Sequence, residues 1–210
     1  MGTAGHGWAR HSDSQKKGGI MLEITKIEVG LEGLAPIMFD RFFDHSKTER
    51  PPEQKLYYDE KKNIVLPAEN MWAFLYQEKP GGCAKRFEGK KSKDFLSYGQ
   101  SHTLITPDMI QITRNGKPLK FKGFGEQRGI WVHEGSPTTK SGAAIIKQET
   151  KKRPVISLPW EVSFNIDLIK NQMIDPDKLC NWFEQGGIVL CLGTYRPRFG
   201  RFMVKKWEIK

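Results

Sequence analysis

Two glycines, Gly193 and Gly200, bracket a segment that carries Tyr195, Arg196, Arg198 and Phe199, and Arg201 follows directly. Glycine adopts φ > 0 without strain and lets a backbone approach a ligand closely. Arginine presents a planar fork of donors that matches phosphate, and an aromatic ring presents a face on which a base stacks. Residues 186–207 hold five Lys or Arg (Arg196, Arg198, Arg201, Lys205, Lys206) and no acid. Such a loop suits an anion, and its interleaved rings point to nucleic acid. A second cluster, Lys151, Lys152 and Arg153, leads into a core-like run and would meet phosphates from a stiffer footing.

Catalytic chemistry finds thin support. His6, His11, His45, His102 and His133 form no HxxxH pair and have no neighbouring cysteine, so neither zinc nor any other metal is expected. No phosphate-binding Walker loop, dinucleotide fingerprint or GxSxG elbow occurs, and no cofactor is expected. The one acid–base cluster is Asp40, Asp44 and His45. Those three are the candidates for a metal-independent endoribonuclease, which would need a general base within reach of its proton. The plainer reading is a polar surface loop.

These groups need elements to hold them. Residues 22–34 alternate apolar and polar, the pattern of a half-buried strand. Residues 56–58 and 64–66 flank a short hairpin turn. Pro67 then opens a helix to Gln77 whose Met71, Trp72, Phe74 and Leu75 share a face. Residues 79–93, rich in Gly and Lys, read as a solvated connector, and 94–98 as a second helical piece. Asn115-Gly116 marks a hairpin between 109–113 and 119–121. Residues 123–150 lack periodicity and read as a long excursion, a finger around Trp131, with Phe124 and Trp131 as candidate wedges between bases.

Strands follow at 153–158 and 160–167, then a helix from Asp175-Pro176 that Gly186-Gly187 would end, a strand at 188–192, the glycine loop and a last strand at 201–209. The core order is therefore β-α-β-β-α-β. The expectation is an α+β, ferredoxin-like (RRM-like) fold with an insertion at about 79–150, and a β-rich sandwich is the competing fold.

The 210 residues suffice for one domain over 21–210. With 38% apolar and 11% aromatic residues the chain can build a core. Net charge is +10, of which residues 1–20 contribute +2, so the basic character belongs to the remainder. The leader, 1–20, has no apolar stretch of signal-peptide type and reads as a disordered tail, an extension or a tag. Cys83, Cys180 and Cys191 show no CxxC spacing and cannot all pair, and Cys180 and Cys191, inside apolar segments, read as core thiols in a reducing compartment. No run of eighteen apolar residues exists, so no membrane span is expected and a cytoplasmic location is.

On three blocks the chain resembles the RAMP superfamily, the proteins that form CRISPR effector backbones. They are GTYRPRFGRF at 193–202, IVLPAENMWAFL at 64–75 and LAPIM at 34–38. The glycine loop is the most specific of these, though it has only two glycines and a proline. The resemblance implies single-stranded RNA, or single-stranded DNA, as partner, with copies assembling side by side as a homo-oligomer or multisubunit ribonucleoprotein in antiviral defence. Gly193, Tyr195, Arg196, Arg198, Phe199, Gly200, Arg201, Lys151, Lys152 and Arg153 would contact the strand. The alternatives are the nuclease above and a structural, phage-type oligomerising subunit that ignores nucleic acid.

Overall fold

A computed structural model describes residues 22–41, 50–135, 138–141, 144–147 and 150–210, with 138–141 and 144–147 described as backbone strands. The leader, Asp44 and His45 lie outside the described residues. In chain order the strands and helices are β1 (Ile24–Gly33), β2 (Ile37–Met38), β3 (Tyr57–Tyr58), β4 (Ile64–Pro67), α1 (Ala68–Tyr76), α2 (Cys83–Phe87), α3 (Ser92–His102), β5 (Thr103–Thr106), β6 (Met109–Arg114), β7 (Lys117–Pro118), β8 (Ile130–Gly135), β9 (Thr138–Ser141), β10 (Ala144–Lys147), β11 (Lys151–Ile156), β12 (Glu161–Ile169), α4 (Pro176–Val189) and β13 (Phe202–Ile209).

The large sheet runs β13-β1-β12-β6-β4-β3, with β5 also on β12 and β7 on β6. Every registered pair in it is antiparallel. With α1 after β1 and α4 between β12 and β13, the α+β arrangement is consistent with the ferredoxin-like plan. Alternation drives it: Ile27, Val29 and Leu31 of β1 and Val162, Phe164, Ile166 and Leu168 of β12 are all buried on one face. On that face α1 and α4 meet the sheet through Phe74, Phe183 and Phe202, with ring centroids 5.4 Å apart for Phe74–Phe183 and for Phe74–Phe202. Each such ring contributes about 1.5–3 kcal/mol by leaving water.

The opposite face is charged. A β-bulge where β13 passes Gly30 and Leu31 puts two consecutive lysines to use there. Lys205 reaches Glu161 at 2.5 Å and Glu32 at 3.1 Å, while Lys206 reaches Glu28 at 2.6 Å and Glu208 at 3.0 Å. Lys206 and Lys210 hold the Glu28 carboxyl down at about 2. These lysines are occupied by acids, so this face is not the cationic one.

Several expectations need correction. Residues 153–158 do not join the large sheet: β11 lies in a second, three-stranded sheet ordered β2-β11-β8, and β6 with β5 takes the place beside β12. Alternation reveals a strand but not which sheet it joins. The connector at 79–93 instead forms α2 and leads into α3, because Cys83 and Ala84 are small enough to be buried under α4, with the Cys83 thiol donating to the Trp182 carbonyl at 3.4 Å. Residues 103–118 supply β5, β6 and β7 to the large sheet, so 79–150 is not one excursion. Within 123–150, β8 pairs along its length with β11, and β9 pairs with β10.

The glycine pair Gly186-Gly187 lies inside α4 rather than ending it, and 188–192 is its last turn and exit, not a strand. Glycine in a helix costs about 1 kcal/mol against alanine. Here it permits contact: a Cβ on Gly186 would lie 2.5 Å from the Phe74 ring, and one on Gly187 would lie 2.5 Å from the Phe202 carbonyl oxygen. Other expectations hold. Asp175 caps α4 by accepting from the Lys178 amide at 2.7 Å, and Asn115 and Gly116 turn with φ of 52° and 72°.

Gly187→Ala, stabilising by propensity on an exposed helix, is therefore expected to destabilise this protein by about 1–3 kcal/mol. Urea unfolding followed by tryptophan fluorescence checks the sign.

Candidate nucleic-acid interface

The chain leaves α4 through a tightly determined loop. Cys191, Gly193, Tyr195 and Gly200 all take positive φ, at 62°, 75°, 59° and 79°. For Cys191 and Tyr195 that conformation costs about 1–2 kcal/mol each. It persists because three backbone bonds fix the path: Leu192 N–H to Gly200 O (2.9 Å), Thr194 N–H to Met38 O (2.9 Å) and Gly200 N–H to Pro36 O (2.8 Å). A Cβ on Gly193 would stand 2.4 Å from Met38 O, and one on Gly200 would stand 1.8 Å from Leu192 O. The space freed by both glycines is thus filled by the protein's own backbone, which leaves the surface of the loop to its side chains.

Those side chains divide. Tyr195 is 45% exposed, and Arg196, Arg198 and Arg201 are exposed, whereas Phe199 is only 5% exposed. Phe199 packs with Met38, Val155 and Trp131 in a small core of its own. The Arg198 guanidinium lies 5.7 Å over the Phe199 ring. Arg196 donates to Cys191 O at 3.4 Å. Burial raises the Cys191 thiol pKa, opposed by the neighbouring Arg201 and Arg196 cations.

The small sheet brings a second group to the loop. His133 of β8 has its ring centroid 5.8 Å from Tyr195, 5.6 Å from Phe199 and 6.0 Å from Trp131. A run of rings, Trp131–His133–Tyr195, therefore lies beside the loop that carries the three exposed arginines, with Arg198 nearest to it. The spacing of His133 to the other histidines gives it no role in the sequence. The signal available was the i, i+2 spacing of Trp131 and His133, which puts both on one face of a strand. Burial, then Arg198 and Arg153, lower the His133 pKa from 6.5.

The Lys151-Lys152-Arg153 cluster is split by its register. Lys151, Arg153 and Val155 share the β11 face opposite Gly135, His133 and Trp131 of β8, and Lys152 points the other way. Lys152 pairs with Glu134 at 2.9 Å, both more than half exposed. Arg153 is 7% exposed, and its Nε donates to Asp40 at 2.7 Å. A second cation, the buried Lys55, stands 3.9 Å from the same carboxylate and donates to Lys152 O at 2.7 Å. Asp40 thus joins the segment after β2 to β11. Among the described residues no group of three or more His, Cys, Asp or Glu is placed to hold a metal.

Asp40→Asn leaves the Arg153 guanidinium buried without its counter-charge and is expected to cost about 2–3 kcal/mol in urea unfolding, with the m-value unchanged. A carboxylate that served only chemistry would leave stability untouched. His133 makes a separate pH prediction. Its depressed value means the unfolded chain takes up a proton that the folded one resists, so its contribution is complete above about 6.5 and is lost as pH falls below that. Between about pH 7.5 and about pH 5.5, His133→Gln should lose less stability than the parent protein.

No protein-family model matches the chain, and no curated protein matches it. The fold is similar to that of a chain in the cryo-EM structure of the Type III-B Cmr-beta bound to cognate target RNA, with a TM-score of 0.50 and 13% sequence identity. The match covers 89% of this chain and 60% of that one. At this identity the likeness is one of fold, an α+β unit built on an antiparallel sheet.

Proposed function

We propose that this chain is a RAMP-like subunit that binds single-stranded nucleic acid, RNA in preference to DNA, as part of a multisubunit CRISPR-type ribonucleoprotein. The observation that carries the reading is the loop at 193–201: three exposed arginines without an intervening acid, beside a half-exposed tyrosine and a histidine-backed aromatic run. Arg196, Arg198, Arg201 and Lys151 would neutralise phosphates, and Tyr195 would stack a base. Gly193 and Gly200 would shape the loop, Phe199 would anchor it, and Arg153 would hold β11 through Asp40. Lys152 would contribute from the far face. The fold likeness to a chain of a complex bound to target RNA supports RNA over DNA.

The charge pattern argues for the loop rather than the sheet. Ferredoxin-like RNA binders often use the open sheet face, with aromatic rings on it. Here that face carries a Glu–Lys ladder.

Four phosphate contacts should give a log–log salt slope of about −3 for single-stranded RNA, at about −0.7 per phosphate. Replacing Arg196, Arg198 and Arg201 together by alanine should bring the slope to about −1 and weaken binding by roughly ten- to a hundredfold near 0.1 M salt. Tyr195→Ala should lose about 1–3 kcal/mol with the slope unchanged. Fluorescence anisotropy at several salt concentrations reads both effects. Binding that ignores salt and these variants would leave the structural, oligomerising reading in place.

A further inference from the structure

A cavity of about 440 Å³ lies between the segment that leaves β7 and the turn that leads into β8, and the loop reading makes no use of it. Three cations line it, Lys120, Lys122 and Arg128, together with the apolar Pro118, Leu119 and Ile130. Glu126 is exposed in the same turn but is not part of the wall. Several other lysines of the protein are occupied by carboxylates: Lys152 by Glu134, Lys178 by Glu88, Lys205 by Glu161 and Lys206 by Glu28. Among the described residues, no carboxylate pairs with Lys120, Lys122 or Arg128.

Both sides of the cavity are held by backbone. Leu119 N–H donates to Ile112 O at 2.9 Å, Leu119 O accepts from Ile64 N–H at 2.7 Å, and Lys120 forms a bridge with Asn63. On the other side, Gly125 N–H donates to Ile130 O at 2.7 Å. Arg114 fixes the end of that turn from beneath, donating to the carbonyls of Arg128 and Gly129 at 3.3 and 3.2 Å. Arg128 closes the turn: its Nη1 donates to the Lys122 carbonyl, over a Gly123 that takes φ of 96° and leaves room for the guanidinium. A guanidinium has five N–H donors, so this bond places it without exhausting it. An anion entering the cavity meets an arginine already in position and two lysines on a fixed backbone, which lowers the ordering cost of binding.

We infer that this cavity binds a phosphate ester, its phosphate among Lys120, Lys122 and Arg128 and its organic part against Pro118, Leu119 and Ile130. Three cations with no acid in the wall select an anion, and the arginine fork matches phosphate oxygens. The volume is in the range of small-molecule sites and exceeds what a bare ion fills. Two sources supply such a group: a phosphate of a bound strand, or a free sugar phosphate. The first rests on the function proposed above. Ile130 belongs to the main core and Trp131, next in β8, to the small core beside the loop, so the cavity and the ring run lie on opposite faces of β8. Among the described strands β8 is an edge of the small sheet, and a nucleic-acid strand passing that edge would reach from one site to the other.

The full-length, ¹⁵N-labelled protein is titrated with ribose 5-phosphate and with ribose, following amide signals. Ribose 5-phosphate should shift the signals of residues 119–130, and ribose, which lacks the phosphate, should not. Lys120 and Lys122 are exposed, so Lys120→Gln combined with Lys122→Gln should keep the fold and weaken ribose 5-phosphate at least about tenfold. Arg196→Ala combined with Arg198→Ala should leave ribose 5-phosphate binding unchanged. The lysine variant is also titrated with single-stranded RNA carrying either a 5′-phosphate or a 5′-hydroxyl.

Weaker binding of both RNAs assigns an internal phosphate of the strand, and weakening confined to the 5′-phosphorylated RNA assigns its end. RNA binding untouched while ribose 5-phosphate is weakened assigns the free ester. The proposal is overturned by an absence of shifts at 119–130, by equal shifts with ribose, or by ribose 5-phosphate binding that survives the lysine variant. Failure of the loop reading shows separately, as RNA binding indifferent to Arg196, Arg198 and Arg201, and leaves the ribose 5-phosphate result where it stands.

Discussion

The carbonyl oxygen of Met38 is where the two sheets and the loop become one object. It accepts from the Thr194 amide at 2.9 Å, and it can do so only because residue 193 has no Cβ, which would otherwise stand 2.4 Å from that oxygen. Met38 is the last residue of β2 and pairs with Val155 of β11. β11 in turn carries His133 and Trp131 of β8 across to the loop. One short backbone contact thus sets where the exposed arginines stand relative to the aromatic run. The remaining bonds, Gly200 N–H to Pro36 O and the Leu34 and Ala35 amides to Arg201 O at 2.8 and 3.2 Å, close the path on both sides.

Around that joint the protein sorts its charge. The bulged β13 spends Lys205 and Lys206 on carboxylates of β1 and β12, so the broad open face of the large sheet is close to neutral. Arg153 is spent on Asp40 in the interior, where a guanidinium needs its partner. The arginines of the loop have no acid between residues 186 and 207 to meet, and they project from a backbone held in left-handed turns. A site on a loop pinned in this way loses less conformational freedom when it takes a ligand than a free loop would.

The small second core gives the interface its stiffness. Phe199, Met38, Val155 and Trp131 make a cluster apart from the main one, with contributions from the loop and all three strands of the small sheet. His133 sits at its rim, its pKa lowered by burial and by the Arg198 and Arg153 cations. The Asp40–Arg153 pair ties β11 to the segment after β2, and Lys55, beside the same carboxylate, links both to the helical turn Pro52–Lys55.

Local order determined what could be read from the sequence. Alternation in 22–34 and 160–167, the proline entry to α1, the Asp175 cap and the Asn115-Gly116 turn each rest on neighbours within a few residues, and each stands in the structure. The outward residues of the loop were legible for the same reason, as arginines and a tyrosine between two glycines. Partnership over long distances was not legible. That β11 belongs to a second sheet depends on β2 and β8; that Gly186 and Gly187 lie within α4 depends on Phe74 and Phe202. That Arg153 is interior depends on Asp40, 113 residues away in sequence. His133 joined the loop only when the chain had folded, because a lone histidine in a strand carries no mark of the rings that will surround it. The sequence by itself determined the elements whose signal is local, among them β1, β12, the entry to α1, the capped start of α4 and the Asn115-Gly116 turn, since those follow from side-chain period and backbone preference. Only the tertiary structure decided which cations face water and which are consumed inside, since that follows from where the acids come to rest.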